Sequence, residues 1–288
     1  MSLESWDLAL EEVDPLIPAY LEAEHVTRYD PGRHEGISDE VHASGVAKCQ
    51  RRALWKYQNP PAPEASPYFT LGDAHEDLYG GPLRERYGDK RVRQDVGCTL
   101  FLPAPSAPEG VLKIVGESDW TVFSVDAPGR GHVCLLPDGT RTAKSSYDEA
   151  TEGYPTLEEA QSWSEYDDCI DLVVETKTTK DLESLDKFNK RGFKPKHRYQ
   201  LAVYMRAFNA EGRLTYMTRN EWNERNYRVE RSEGVWSEAM SRAYTHYYNR
   251  GDDVIPAADP LHDQGTCERF CSFVDECKKV GGQQWGEE

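Results

Sequence analysis

DLVVETKTTK, residues 171–180, is the stretch that decides the fold. Three apolar residues run straight into Glu175, and Lys177 follows one residue later. Side chains alternate faces along a strand, so positions 175 and 177 share a face with Val173. A buried-looking strand thus ends in an acid and a base side by side. Read alone, this is an ion pair at a strand end, which contributes little. E-x-K triplets are also common in a chain with 30% charged residues. The meaning of the pair depends on what surrounds it.

A chain of 288 residues can bury a sizeable core and suits one large domain with elaborations. No run of about 18 apolar residues occurs, and the mean hydropathy is −0.76, which excludes a membrane-spanning helix. The start, MSLESWDLALEEVDPL, is acidic and lacks the basic region of a secretory signal, so a soluble cytoplasmic protein is expected. Thirty-four basic residues against 51 acidic ones give a net charge of −17. That argues against nucleic-acid binding by the whole surface and leaves room for a local basic site. Arginine exceeds lysine by 21 to 13, which suits a protein of a high-salt cytoplasm and an ordinary acidic enzyme equally.

Residues 1–40 read as an acidic, helical N-terminal arm broken by Pro15 and Pro18, and 41–288 as the main domain. SGVAKCQRRALWKYQ (44–58) has a Ser44 cap and apolar spacing that predict a helix carrying Cys49, Arg51 and Arg52. PPAPEASP (60–67) is a linker, and FTLGDAHEDLYGGPLRERYG (69–88) predicts a second helix bearing His75. VRQDVGCTLFL (92–102) alternates as a strand, and VLKIVGESDWTVFSV (111–125) predicts two strands around Gly116, a hairpin or bulge. Residues 126–168, with PGRG, PDGT and an acidic stretch, predict an insertion or long loop outside the core. HRYQLAVYMRAF (197–208) predicts an amphipathic helix, GRLTYMTR (212–219) a strand, and VWSEAMSRAYTHYYNRG (235–251) a helix stopped by Gly251. This order describes an α/β domain with a mixed central sheet flanked by helices.

Metal-dependent phosphodiester hydrolysis needs hard oxygen ligands for Mg²⁺ or Mn²⁺, a polarised water, and a cation to orient it or stabilise the phosphate. Asp119, in GESD (116–119), ends an apolar stretch that can pair with the Glu175 strand. G-x-x-D followed by an apolar strand ending in E-x-K resembles the core of the PD-(D/E)XK nucleases, with their restriction-endonuclease-like fold. Gly72 and His75, in LGDAH, resemble the G-x-x-H motif of the RecB-type branch. Gln200 and Tyr204, in YQLAVY, match its Q-x-x-x-Y motif and share a helical face. The specific signal is the order of these elements across residues 72–204.

The cysteines narrow the resemblance. Cys49, then Cys267, Cys271 and Cys277, are placed as in the Cas4-like iron–sulfur nucleases, a group that includes the AddB nuclease domain and Exo5. Four thiolates suit a [4Fe–4S] cluster and also suit Zn²⁺. CERFCSFVDEC is C-x3-C-x5-C, where the family usually shows C-x2-C-x5-C. The resemblance implies a structural C-terminal cluster segment that staples the chain's ends together. Cys98, Cys134 and Cys169 read as ordinary core or loop cysteines.

The resemblance further implies that His75, Asp119, Glu175 and a backbone carbonyl near Thr176 hold Mg²⁺ or Mn²⁺. Lys177 would orient or deprotonate the attacking water, and Gln200 and Tyr204 would position the lysine or the substrate. KFNKRGFKPKHR (187–198) holds six basic residues and no acid, between the E-x-K and Q-x-x-x-Y motifs. Its Lys187, Lys190, Arg191, Lys194, Lys196 and Arg198 are candidate phosphate contacts, with Phe188 and Phe193 available to stack on unpaired bases. The expected function is a metal-dependent DNA exonuclease or end-processing nuclease acting on single-stranded or frayed ends. Its setting would be CRISPR adaptation, with Cas1 and Cas2 as partners, or DNA recombination and repair. The rival is a non-catalytic DNA-binding scaffold held by an iron–sulfur or zinc site.

Overall fold

The computed structural model describes residues 40–58, 67–107, 109–127, 131–147, 153–179, 181–186, 194–218, 223–250, 255–256, 271 and 273–280. For 56–58, 67–75, 184, 186 and 195 it describes the backbone only. Residues 1–39 of the expected N-terminal arm, 1–40, lie outside the described residues.

In chain order the elements are β1 (Glu40–His42), α1 (Ala43–Val46), α2 (Gln50–Gln58), α3 (Pro67–Tyr87), β2 (Val92–Pro103) and β3 (Val111–Phe123). Then come β4 (His132–Leu135), β5 (Arg141–Lys144), α4 (Leu157–Gln161), β6 (Ser164–Glu165), β7 (Ile170–Thr179) and α5 (Glu183–Asp186). The chain continues through α6 (Pro195–Phe208), β8 (Glu211–Thr218), β9 (Glu224–Val229), α7 (Glu233–Tyr248) and α8 (Val274–Val280). One mixed sheet takes all the strands in the order β6-β5-β4-β2-β3-β7-β8-β9, with β1 on β3.

β7 is buried on both faces, as its apolar run predicts. Val173 packs with Leu201, Tyr204 and Leu214 under α6, whereas Leu172 and Val174 pack with Tyr79, Leu83 and Trp120 under α3. Trp120 lies so close to α3 that a Cβ at Gly80 would overlap its ring. The indole N–H donates to the Glu76 carbonyl at 3.0 Å, so the tryptophan is both packed and satisfied. α6 starts at Pro195, which suits the first helical position, and ends at Asn209, whose φ of 54° is left-handed.

Three expectations need correction. Residues 111–123 form one continuous 13-residue strand, not two around Gly116. Gly116 is kept in the strand for packing, because Tyr204 and Ala43 press on the space a side chain would fill. The segment 126–168 is not a loop outside the core. It contributes β4, β5, β6 and α4, and its Cys134 and Leu136 pack with Phe101 and Val111 of the main sheet. α4 is set by a reciprocal cap between Thr156 and Glu159. The helix expected over 44–58 is broken into α1 and α2, and Cys49 stands in the break just before α2.

The edge of β3 changes partner along its length. Lys113–Val115 pair in parallel with β1, and Trp120–Phe123 pair antiparallel with β7. Gly116–Asp119 lie between these two pairings, where the sheet splits. The acids and the amide picked out in the sequence converge on this split.

Candidate active site

Asp119 stands one residue beyond the Trp120–Val174 pair, which brings it beside the end of β7. Its Oδ2 accepts two hydrogen bonds from Thr176, at 2.5 Å from the amide and 2.7 Å from the hydroxyl. Thr176 therefore fixes the carboxylate in place and leaves Oδ1 without a hydrogen-bond partner among the described residues. Glu175 is completely buried. Its Oε1 accepts from the Lys177 ammonium, and its Oε2 is buried with no partner among the described residues. A buried carboxylate oxygen without a protein partner is costly and calls for a compensating group, such as a water or an ion.

The electrostatics follow from this packing. Burial, and then the Asp119 charge, push the Glu175 carboxyl up to about 8, against the opposing pull of Lys177. Burial would lower the Lys177 ammonium, but Glu175 and then Asp119 outweigh it and hold its pKa above the ordinary lysine value. The Lys177 side chain is 26% exposed, and its ammonium stays bonded to the buried Glu175 carboxylate. Two carboxylate oxygens without partners among the described residues, beside a lysine, are a donor set that suits a hard divalent cation.

Gln200 and Tyr204 lie one turn apart on α6, and the Gln200 amide donates to the Tyr204 hydroxyl at 3.2 Å. Burial, followed by the nearby Glu175 charge, keeps the Tyr204 phenol well above its usual pKa and hence neutral. The two side chains line a groove of about 360 Å³ with His42, Gly116, Glu117 and Tyr154. Tyr154 comes from the segment expected to be a loop, so that segment forms part of the wall.

The remaining expected site residues are placed less completely. His75 falls on α3, and its side chain lies outside the described residues. Lys194, Lys196 and Arg198 lie at the start of α6, while Lys187, Lys190 and Arg191 lie outside the described residues. Cys267 lies outside them as well. Cys277 is buried, and Cys49 and Cys271 are partly so. The Arg51 guanidinium donates to the Cys277 sulfur at 3.3 Å and to the Pro256 carbonyl at 2.8 Å. Trp55 packs on Phe273 with ring centroids 6.0 Å apart, so the helix that follows Cys49 lies against the C-terminal segment. Among the described residues no group of three or more His, Cys, Asp or Glu side chains could hold a metal ion.

Two residues at this site were not among the candidates. Tyr216 of β8 pairs with Lys177 across the parallel ladder, and His197 of α6 is hydrogen-bonded to its hydroxyl at 2.6 Å. The available signal was spacing, since His197 precedes Gln200 by three residues and so shares its helical face.

No family model matches the chain, and no curated protein matches it. Among solved structures, the crystal structure of SSO0001 aligns with a TM-score of 0.50 at 15% identity, covering 91% of this chain and 94% of that one. An alkaline exonuclease, LHK-Exo, from Laribacter hongkongensis aligns with a TM-score of 0.42 at 11% identity, over 77% of this chain and 92% of that one. The chain shares the fold of SSO0001 over nearly its whole length. Among the described residues no helix is long and apolar enough to cross a membrane.

Proposed function

We propose that this chain is a metal-dependent deoxyribonuclease that trims single-stranded or frayed DNA ends. The observation that carries the reading is the meeting of Asp119 and Glu175 at the sheet split, each with an oxygen that has no partner among the described residues, beside the Lys177 ammonium. A DNA-binding scaffold needs no such meeting of two acids and a lysine.

Asp119 and Glu175 would hold Mg²⁺ or Mn²⁺, with His75 as the further ligand implied by the family resemblance. Bound there, the ion would polarise a water and offset the charge that develops on the phosphate. Lys177 would orient or deprotonate the attacking water and face the phosphate. Thr176 holds Asp119 in register with Glu175 through its amide and hydroxyl, which supports a positioning role. Gln200 and the neutral Tyr204 line the adjoining groove, where the strand next to the scissile phosphate would lie. The basic residues of 187–198 would supply phosphate contacts that the acidic remainder of the surface does not.

The iron–sulfur cluster, and a place beside Cas1 and Cas2 in CRISPR adaptation, rest on the resemblance of the cysteine pattern to Cas4-like nucleases. The three described cysteines form no compact ligand group of their own, and no step of the proposed hydrolysis runs through the cluster.

End-labelled single- and double-stranded DNA, with and without Mn²⁺, tests the reading. Wild type should shorten the strand only with the metal. Asp119→Ala and Glu175→Ala should lose about 100-fold or more in rate, since metal-supported charge stabilisation is worth several kcal/mol. Both variants should still melt cooperatively. Undiminished Mn²⁺-dependent cleavage by either variant would sink the assignment.

A further inference from the structure

His197 has a defined tautomer, and the hydrogen bonds around Tyr216 determine it. The Tyr216 side chain is fully buried. Its hydroxyl accepts the Lys194 amide N–H at 3.1 Å and lies 2.6 Å from His197 Nδ1. No other hydrogen-bond partner meets it among the described residues. Burial keeps the phenol protonated, so its one hydrogen needs an acceptor, and Nδ1 is the acceptor within reach. With Nδ1 accepting, the imidazole is neutral and carries its proton on Nε2. Burial, together with the nearby charges of Lys177, Lys196 and Lys194, disfavours the imidazolium and agrees with that geometry. Nε2 has no hydrogen-bond partner among the described residues.

The same ring lies near Lys177, the cation proposed to face the phosphate. Tyr216 is the ladder partner of Lys177, and His197 sits one turn before Gln200 on the same face of α6. A neutral N–H donor suits this position. It adds a hydrogen bond to an anionic oxygen without adding a fourth positive charge to Lys177, Lys194 and Lys196.

Resting on the nuclease reading above, we propose that His197 is a substrate-contact residue whose Nε2–H donates to a non-bridging phosphate oxygen of the bound strand. Tyr216 is then a positioning residue that holds the ring in the donating tautomer. The lysines supply net attraction, and His197 supplies a directed contact.

Two measurements test this. The first compares Mn²⁺-dependent cleavage of an end-labelled single strand by wild type, His197→Phe and His197→Gln, beside Asp119→Ala. His197→Phe keeps a packed ring but no donor, and should lose about 10- to 100-fold in kcat/KM, the worth of one hydrogen bond to a charged group. His197→Gln can present an N–H near the Nε2 position and should recover part of that loss. A His197→Phe rate equal to wild type, with Asp119→Ala inactive, would overturn the proposal and leave the nuclease reading standing. Cleavage by Asp119→Ala at the wild-type rate would overturn both. The second measurement needs no variant. Histidine side-chain nitrogen spectra of the metal-free wild type should show one Nε2–H tautomer whose Nε2 signal moves when a short oligothymidylate is added. A ring protonated on Nδ1, or an Nε2 signal indifferent to the oligonucleotide, would overturn the proposal even if His197→Phe fails to fold.

Discussion

Burial beside Asp119, relieved only in part by Lys177, leaves the Glu175 carboxyl protonated at neutral pH when no metal is bound. The folded value of about 8 lies above the ordinary 4.5, so between those values the folded metal-free protein holds a proton that the unfolded chain releases. Its contribution to stability is therefore full below pH 4.5 and is lost as pH rises through 8. Metal binding has the opposite dependence, because the ligand must be the carboxylate. Mn²⁺ affinity should rise by about tenfold per pH unit up to roughly pH 8 and then level off. Calorimetry in buffers of different ionisation enthalpy should find about one proton released per Mn²⁺ at pH 7 and almost none at pH 9. Release of none at pH 7 would show that Glu175 is not the group displaced. Asp119, Glu175, Lys177, Gln200 and Tyr204 stood out in the sequence through their resemblance to the PD-(D/E)XK motifs, and periodicity added only that 175 and 177, and 200 and 204, share a face. His197 and Tyr216 did not, because spacing puts His197 only on the face of Gln200, and its meeting with Tyr216 depends on how α6 lies across β8.

At the level of elements, the site exists because β3 leaves β1 and takes up β7 within four residues. Gly116 sits at that change, with Tyr204 Cε1, the Tyr204 hydroxyl and Ala43 Cβ each 3.1 Å from where a Cβ would be. A methyl group there must displace the tyrosine or α1, an overpacking that costs about 1–3 kcal/mol. Gly116→Ala should accordingly lower the urea midpoint and depress Mn²⁺-dependent cleavage, because the displaced ring belongs to the Gln200–Tyr204 pair. Wild-type stability and activity together would show that the contact is soft. From the sequence, the same glycine reads as a break between two strands. A glycine in a strand marks either a bulge or a close approach, and only the packing of α6 distinguishes them. β9 was missed for a related reason. Its exposed residues are Glu224, Asn226 and Arg228, and among the described residues it pairs on one side only, so Glu224–Val229 lacks the apolar alternation that marks a strand. β4 has just four residues, between Gly131 and the turn at Gly139, too short for a period to show.

Across the whole molecule, the helix α2 near the start of the described chain lies against α8 near its end. The cysteine pattern attributes such a closure to four thiolates around one metal site. The packing supplies another agent, since Arg51 is buried and reaches both the Pro256 carbonyl and the Cys277 sulfur, with Trp55 on Phe273 beside it. This contact was not legible, because an arginine on a helix reads as solvated unless its partners, more than 200 positions away, are known. The two agents make different predictions. If Arg51 closes the ends, Arg51→Ala should cost about 2–3 kcal/mol in urea unfolding even after exhaustive chelation, the scale for lost hydrogen bonds from a charged group. An exposed pair such as Lys90 and Asp126, with side chains 79% and 71% exposed, sets the baseline, and Lys90→Ala should change little. Cys49→Ala should match wild type within about 0.5 kcal/mol after chelation, because its backbone carbonyl, which accepts from Ala53, is retained. In protein purified without oxygen and with its metal, Cys49→Ala should instead lose metal and stability together, since a thiolate site couples binding to folding. Equal stability of Arg51→Ala and wild type in chelator would mean that the chain ends are held by the metal alone.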